Sequence, residues 1–257
     1  MLTSCGTRNM QNETKAMVSD SIINLYDDSV EYLSSFFSDF AFDHDYQLER
    51  IKFPIKIQIM GKESMICKSD WKHDSLFMKL EYSTYIINSH DVSIDMFKCV
   101  SDKSSFSWIY PDQNKKKDYF FIRENGKWYL SHIRVVNLHD INTEDFISFL
   151  KKFMSDSLYQ VSRVKFPINK TILTYSDKVE DFVDTIRTFN QSDWSFLSIN
   201  KGLEYLTNYS CSWNTDIKES KEMQLVVVGV GNGINIHLFF SKIDRSWFLI
   251  KFTDYSD

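Results

Sequence analysis

The sequence lacks the features that mark several large classes of protein. No apolar run approaches the roughly 18 residues of a membrane helix, which predicts a soluble folded body. The chain has 30 basic and 35 acidic residues and a net charge of −5. It has no sequence-wide positive field to hold a phosphate backbone, so nucleic acid is not expected as a partner. The run Lys115-Lys116-Lys117 follows turn-forming residues and is interpreted as a solvated loop.

Motifs for common chemistries are also missing. The sequence contains no G-x-S-x-G, P-loop, H-E-x-x-H or Cys/His catalytic signature. Its four cysteines form no C-x-x-C pair, and its histidines share no spacing. Gly229-x-Gly231-x-Gly233 leads into a strand pattern instead of a helix, so it is interpreted as a hairpin turn and not as a dinucleotide site. The sequence therefore predicts no metal and no cofactor.

Three of the cysteines have apolar or aromatic neighbours. Cys67 and Cys99 lie among apolar residues, and Cys211 lies beside Trp213. A thiol in such surroundings usually packs as a small hydrophobic group, which predicts burial. A disulfide between two of them remains open on the sequence alone.

Cys5 differs because Leu2-Thr3-Ser4-Cys5-Gly6 resembles the lipobox of bacterial lipoproteins, whose cysteine becomes the lipidated first residue. A signal peptide needs about 7–15 apolar residues before its cleavage site. Four residues precede Cys5, so either the native start lies upstream or the match arose by chance. The lipoprotein interpretation predicts a lipid anchor at Cys5 and a polar tether over residues 1–19. An ordinary frayed terminus is the alternative.

The most informative feature is an internal repeat. Residues 40–55 align with residues 153–168, and nine of the sixteen aligned positions are identical. Asp70-Trp71 then matches Asp193-Trp194 at a larger shift, which indicates an insertion in the second copy. Phe120-Phe121 with Trp128 matches Phe239-Phe240 with Trp247. Three matches in the same order favour two tandem copies, with a first repeat at 20–138 and a second at 139–257.

Each copy begins with a helical pattern and continues with strands. Aromatic residues recur at three- and four-residue steps over residues 26–40 and 146–153, which predicts one helix with a buried face in each copy. The Phe53-Pro54 and Phe166-Pro167 segments are predicted to be extended. Glu124-Asn125-Gly126 and Gly231-Asn232-Gly233 predict two hairpins. The spacing from Val179 to Phe189 predicts an extra helix in the insertion.

This order of elements resembles a tandem of nuclear transport factor 2-like (cystatin-like) domains. More closely, the chain resembles domain-of-unknown-function family 4348, a group of uncharacterised Bacteroidetes lipoproteins. Three features carry the likeness: the motif at Cys5, the Tyr-Gln-x-x-Arg-x-x-Phe-Pro motifs at 46–54 and 159–167, and the hairpins with Trp128 and Trp247. The resemblance implies an α+β fold of two cone-shaped domains, with helices packed on a curved antiparallel sheet. It implies no established activity.

The mouth of such a cone can hold a small ligand, which directs attention to polar residues near the helix ends. Arg50 and Arg163 are candidates to clamp an anionic ligand, because a guanidinium offers a fork of donors. The alternative is that each pairs with Asp43 or Asp156, or with helix-end carbonyls, and fixes the helix. The ligand-binding residues predicted from these motifs are Tyr46, Gln47, Arg50, Tyr159, Gln160 and Arg163.

The function predicted from these observations is non-enzymatic binding of a small apolar or anionic ligand, or of an envelope protein. The lipoprotein interpretation predicts a cell-envelope location, on the periplasmic side or at the outer membrane, with the membrane reached only through the lipid anchor. The alternative is an isomerase- or hydratase-type enzyme that uses Asp43, His44, Asp45 and Tyr46 as acid–base groups in the first repeat. Such a cluster at a helix end is more often solvated.

Overall fold

The computed structural model describes residues 31–88, 99, 101–138, 144–197, 205–215 and 221–256. The predicted tether over residues 1–19, which includes Cys5, lies outside this part of the chain. None of the helices in the described part is long and apolar enough to span a membrane.

Two pairs of helices stand at corresponding places in the chain. They are α1 (Leu33–Phe42), α2 (His44–Glu49), α3 (Glu144–Ser155) and α4 (Ser157–Ser162). Asp43 ends the first helix and caps the second, because its carboxylate accepts hydrogen bonds from the backbone N–H groups of Asp45 and Tyr46 at 2.8 and 3.0 Å. Asp156 accepts from the N–H of Tyr159 at 2.9 Å in the same way. The two main helices predicted from aromatic spacing are confirmed within the described residues.

Within the described residues, twelve strands form a single sheet. The first six are β1 (Ile51–Ile59), β2 (Lys62–Ile66), β3 (Tyr82–Asn88), β4 (Lys103–Tyr110), β5 (Lys115–Glu124) and β6 (Lys127–Asn137). The other six are β7 (Val164–Ser176), β8 (Asp181–Phe189), β9 (Leu206–Ser210), β10 (Glu222–Gly229), β11 (Asn235–Ile243) and β12 (Ser246–Asp254). The Phe-Pro segments begin β1 and β7, and the predicted hairpins are β5–β6 and β10–β11.

Each half of the chain contributes one strand to the other half's part of the sheet. Its order is β2-β1-β6-β5-β4-β9-β3-β10-β11-β12-β7-β8. Strand β9 from the second half lies beside β4 of the first half, and β3 from the first half lies beside β10 of the second half. The sheet therefore runs without a break through both halves, and the division into two domains at residue 138 stays a prediction.

The two main helices pack on opposite faces of this sheet. Neighbouring residues of a strand point to opposite faces. Trp108 of β4 belongs to the core that contains Phe36, Phe37 and Phe40 of α1. Its neighbour Ile109 belongs instead to the core beneath α3. Each half therefore has its own helix on one face of the sheet.

The extra helix predicted from Val179 to Phe189 is wrong. Residues 164–189 instead form the β7–β8 hairpin at one edge of the sheet, turning at 177–180, where Glu180 has a φ of 52°. The side chains of Phe182 and Ile186, placed on a buried helix face by the prediction, are exposed. Strand β8 is rich in β-branched and aromatic residues, which suit a strand, and pairing with β7 satisfies its backbone.

Two expectations for polar or reactive side chains are also wrong. The run Lys115-Lys116-Lys117 is the start of β5 and not a solvated loop, and the side chain of Lys116 is fully buried beside Asp118 at 3.0 Å. A period of two places Lys116 and Asp118 on one face of the strand, where their charges compensate each other. Cys67 is exposed instead of buried, whereas Cys99 and Cys211 form a disulfide.

Candidate functional site

Gln47 and Gln160, two of the predicted ligand residues, are internal bracing residues. The side chain of Gln47 is fully buried. Its Nε2 donates to the carbonyls of Phe40 at 2.6 Å and Asp74 at 2.9 Å. Its Oε1 accepts from Trp71 Nε1 at 2.8 Å and from the Asp74 N–H at 2.9 Å. All four hydrogen-bonding positions of the amide are filled, which leaves none for a ligand.

Gln160 repeats this arrangement in the second half. Its Nε2 donates to the carbonyls of Phe153 and Leu197, both at 2.9 Å. Its Oε1 accepts from Trp194 Nε1 at 3.2 Å and from the Leu197 N–H at 2.7 Å. The two amides therefore identify Asp74 and Leu197 as equivalent residues of the two halves.

Arg50 and Tyr46 belong to a closed cluster around Glu31. The guanidinium of Arg50 binds both carboxylate oxygens of Glu31, at 2.8 and 3.1 Å, and the carbonyl of Trp128 at 3.2 Å. The Tyr46 hydroxyl donates to the same carboxylate at 2.7 Å. Burial and the hydrogen bond to negative Glu31 raise the pKa of Tyr46 well above its usual value. The arginine thus fixes the start of α1, and its acidic partner is Glu31 instead of the expected Asp43.

Arg163 and Tyr159 occupy the matching place in the second half. The guanidinium of Arg163 lies over the rings of Tyr159 and Phe248, at 5.1 and 5.3 Å from their centroids. Its Nε is buried and has no hydrogen-bond partner within the described residues. The described contacts of this guanidinium are therefore with flat aromatic surfaces.

The predicted acid–base cluster lies on the surface. His44 and Asp45 are exposed, and their side chains approach to 3.6 Å. Asp43 is used as a helix cap, as described above. His44 lies against the ring of His73, with 5.7 Å between ring centroids. The cluster therefore adjoins a concave site at His73 without forming its lining.

That concave site is a cleft of about 550 Å³ on the α1 side of the sheet. The apolar part of its wall comes from Ile57, Ile66, Trp71 and Ile133. The polar part consists of Asp70, Lys72, His73, Asp74, Ser75 and Lys117. Apolar walls with a few converging polar groups are typical of small-molecule sites.

Asp74 is the centre of the polar wall. Its Oδ2 accepts hydrogen bonds from Lys117 Nζ at 3.1 Å and from the Tyr119 hydroxyl, and its Oδ1 accepts from the Leu76 N–H at 3.2 Å. Burial alone would raise the pKa of Asp74, but the charge of Lys117 and these hydrogen bonds outweigh it and lower that pKa. The carboxylate is therefore ionised at neutral pH.

Two tyrosines respond to this negative charge. Burial and the nearby Asp74 carboxylate raise the pKa of Tyr119 well above its usual value. The same two causes raise the pKa of Tyr110. Both hydroxyls are therefore neutral hydrogen-bonding groups at physiological pH, and Asp74 with Lys117 supplies the charged pair of the cleft.

The second half has aliphatic residues at all three positions of this cluster. Leu197 corresponds to Asp74 through the glutamine contacts. Leu238 of β11 lies opposite Leu225 of β10, just as Tyr119 of β5 lies opposite Phe106 of β4, so Leu238 corresponds to Tyr119. Ile236 lies two residues before Leu238 and therefore corresponds to Lys117. Leu238 is fully buried, and Leu197 and Ile236 pack on the core beneath α3. The Asp74–Lys117–Tyr119 cluster is therefore not required for packing of this type of sheet.

Sequence reasoning missed this cluster, although the repeat contained a signal for it. The alignment of Asp70-Trp71 with Asp193-Trp194 also places Asp74 on Leu197, and the alignment of the Trp hairpins places Tyr119 on Leu238. A search for polar residues opposite aliphatic ones would have found the cluster. The described residues contain no group of three or more His, Cys, Asp or Glu side chains able to hold a metal ion.

The fold and the cleft define an α+β protein of the nuclear transport factor 2-like class. The crystal structure of an NTF2-like protein from Bacteroides fragilis is similar to this chain, with a TM-score of 0.73 and 28% identity. The similarity covers 87% of this chain and 96% of that one. No curated protein matches the chain.

The family follows from the sequence match. The model of the domain of unknown function DUF4348 matches residues 10–254. The chain therefore belongs to the DUF4348 family, and the resemblance inferred from the Tyr-Gln-x-x-Arg-x-x-Phe-Pro motifs is confirmed.

Proposed function

We propose that this chain is a non-enzymatic binding protein whose first-half cleft holds a small ligand with an apolar body and a polar end group. The observation that carries the proposal is the Asp74–Lys117–Tyr119 cluster in a cleft, where the second half has only aliphatic residues. Even a partly buried charged pair costs desolvation that an aliphatic set avoids. A cluster that packing does not need is best explained by recognition.

The lining of the cleft suggests how such a ligand lies. Ile57, Ile66 and Ile133 offer an apolar surface for its body. Lys117 and Asp74 are about one quarter exposed, with side-chain accessibilities of 29% and 27%, so a ligand can reach both. A polar end group that accepts from Lys117 or donates to Asp74 would be oriented by this pair.

The charge states favour binding over acid–base catalysis. A general base works best when its pKa lies near the working pH. The pKa of Asp74 is lowered and that of Tyr119 is raised, so the first is a weak base and the second a weak acid at neutral pH. The isomerase- or hydratase-type alternative would have to rely on these poorly tuned groups.

We also propose that the protein acts in the cell envelope, attached through a lipid at Cys5. The disulfide between Cys99 and Cys211 supports this location, because disulfides persist in oxidising compartments and are rare in the cytosol. Expression with the native upstream sequence, followed by cell fractionation, tests the anchor. We expect the chain in the membrane fraction, and Cys5→Ser in the released fraction. Membrane association retained by Cys5→Ser would remove the anchor from the proposal.

Mass spectrometry of small molecules extracted from natively purified protein, produced from Thr7 onward, tests the binding function. A combined variant, Asp74→Leu with Lys117→Ile and Tyr119→Leu, installs the aliphatic set of the second half. It is expected to fold, as judged by circular dichroism, and to lose the ligand that co-purifies with the wild type. Lys117→Met alone is a milder second variant. Asp45→Asn, on the exposed surface nearby, is the matched control and should retain the ligand.

Two results would overturn the proposal. One is that the wild type yields no compound in a larger amount than the combined variant yields. The other is a ligand that all variants retain equally, because it would then lie elsewhere on the protein.

A further inference from the structure

A second cleft lies on the face of the first-half sheet that is turned away from α1. Its volume is about 450 Å³. It is lined by Lys56, Gln58, Phe120, Ser131, His132, Arg134 and Trp213. His132 and Phe120 alternate with Ile133 and Phe121, which belong to the core beneath α1, so this cleft and the cleft at Asp74 open on opposite faces.

Strand register brings the basic residues of this cleft together. In the parallel pair of β1 and β6, Lys56 lies opposite His132 and Gln58 lies opposite Arg134. In the antiparallel pair of β5 and β6, Phe120 lies opposite His132. Neighbouring strands are about 4.8 Å apart. One ligand group can therefore reach Lys56, His132 and Arg134 at once.

Arg134 is held rigidly at the base of the cleft. Its Nε and Nη2 donate to Asp118 Oδ2 at 3.2 and 2.8 Å, and Nη2 also donates to Thr215 Oγ1 at 2.7 Å. The Asp118 side chain is fully buried. This fixed guanidinium needs no further ordering when a ligand arrives, which favours binding.

Lys56 and His132 are more adaptable. Lys56 pairs with Glu63 at 2.6 Å, but both side chains are about half exposed, and such surface pairs hold a side chain only weakly. Burial, and then the positive charges of Lys56 and Arg134, lower the pKa of His132. The described charged groups near His132 are Lys56, with Glu63 behind it, and Arg134, with Asp118 behind it. Lys103 also lies close by, with its Nζ over the Trp213 ring at 4.8 Å.

Flat rings form the other part of the wall. His132 stacks on Phe120, with 4.3 Å between centroids and an angle of 10°. Trp213 meets His132 edge to face at 5.2 Å, and its Nε1 donates to the Phe121 carbonyl at 2.7 Å. Among the described residues that line this cleft, none carries a carboxylate. Three basic groups beside aromatic surface, with no acid in the lining, are suited to an anionic ligand with a planar body.

We propose that this cleft binds a small planar organic anion, whose carboxylate or phosphate lies between Lys56, His132 and Arg134 and whose ring contacts Trp213. The second half lacks the constellation. By strand register its residues at the places of Lys56, His132 and Arg134 are Asn169, Lys251 and Thr253. The three basic groups belong to the first half and Trp213 is added from the second. The site is independent of the ligand proposed for the cleft at Asp74.

Isothermal titration calorimetry with phenyl phosphate, benzoate, inorganic phosphate and neutral benzyl alcohol tests this site. We expect phenyl phosphate or benzoate to bind more tightly than inorganic phosphate, and benzyl alcohol not to bind measurably. Lys56→Gln and His132→Gln should each weaken binding of the organic anion about tenfold. Lys62→Gln, an exposed residue of the same hairpin outside the lining, is the matched control and should change it less than about twofold.

The pH dependence adds a second readout. A bound anion stabilises the charged imidazole of His132. Binding of benzoate, which stays ionised over this range, should therefore tighten as the pH falls from about 7.5 to 5.5, and His132→Gln should remove that dependence. The site is refuted if neither organic anion binds the wild type. It is also refuted if Lys62→Gln weakens binding as much as Lys56→Gln, or if inorganic phosphate binds as tightly as phenyl phosphate.

Discussion

The two halves of this protein contain equivalent buried glutamines with the same four hydrogen bonds, but these bonds hold a different residue in each half. Gln47 and Gln160 make matching sets of four hydrogen bonds, each to a helix-end carbonyl, a tryptophan and one backbone unit. That backbone unit belongs to Asp74 in the first half and to Leu197 in the second. The comparison separates residues that the fold requires from residues that it permits. Both proposed ligand sites consist of the second kind. The cleft at Asp74 is lined by first-half residues, and the three basic groups of the other cleft also come from the first half, with Trp213 added from the second.

The largest expected effect on stability comes from replacing one of these buried glutamines. Gln47→Leu leaves Trp71 Nε1, the Asp74 backbone and the Phe40 carbonyl without their partner inside the core. Unsatisfied buried polar groups are costly, so we expect a loss of about 4 kcal/mol in the free energy of unfolding. Gln160→Leu should cost the same within about 1 kcal/mol. Urea denaturation measures both.

Gln191→Leu, at an exposed position, serves as the control and should cost less than about 0.5 kcal/mol. If Gln47→Leu or Gln160→Leu lowers the free energy of unfolding by less than about 1 kcal/mol, these amides do not have the structural role given to them here. The pair also distinguishes the halves in function. Gln47→Leu releases the backbone of Asp74 and should reduce ligand recovery, whereas Gln160→Leu should not.

The disulfide between the halves is expected to have the next largest effect. Cys99 precedes β4, and Cys211 follows β9, the strand that lies beside β4 in the sheet. The link closes a separation of 112 residues. Cys99→Ser with Cys211→Ser should therefore lower the free energy of unfolding by about 3 kcal/mol under oxidising conditions.

The exposed thiol of Cys67 provides the control for that measurement. Cys67→Ser should change stability by less than about 0.5 kcal/mol, because the side chain has no buried contacts to lose. Addition of a reductant should reproduce the double variant in the wild type and in Cys67→Ser alike. Wild-type stability that does not respond to the reductant would contradict a stabilising role for the disulfide.

The sequence was sufficient for those parts of the fold that depend on short-range patterns. The helices followed from aromatic spacing, and the hairpins at Asn125-Gly126 and Asn232-Gly233 followed from turn chemistry. The β7–β8 hairpin did not, because the spacing of Val179, Phe182, Val183 and Ile186 fits a helix when pairing partners are unknown. The exchange of β3 and β9 could not be predicted for a related reason. Apolar periodicity indicates that a segment is a strand, but it does not indicate which strand lies beside it.

The polar residues were harder to place than the fold. Gln47 and Gln160 stand in a repeated motif beside arginines, and only the structure shows that every position of their amides is filled. Lys116 is predicted to lie in a loop because turn-forming residues precede it, whereas in the structure its Nζ donates to the carbonyl of Thr215 at 2.5 Å. Local composition cannot reveal a partner about one hundred residues distant.

The smallest expected effect concerns acid stability, where the two halves should behave alike. Each half has a carboxylate–lysine pair: Asp74 with Lys117 at 3.1 Å, and Asp254 with Lys170 at 2.9 Å. In both carboxylates 27% of the side chain is exposed. In both, burial opposes the shift, but the lysine and the other hydrogen bonds lower the pKa below the usual value of 3.8.

A carboxyl group with a lowered pKa in the folded state stabilises the fold above its unfolded-state pKa, and the contribution disappears as the pH falls through the folded-state value. The wild type should therefore lose stability below about pH 4 more steeply than Asp74→Asn or Asp254→Asn. Each replacement should remove about 1 kcal/mol or less of this acid sensitivity. Urea titrations at a series of pH values between about 6 and 3 measure it.

If stability falls equally steeply with decreasing pH in the wild type and in both variants, neither pair contributes to acid sensitivity. A change confined to Asp254→Asn would mean that the Asp74 pair has no part in stability, which would strengthen its assignment to recognition.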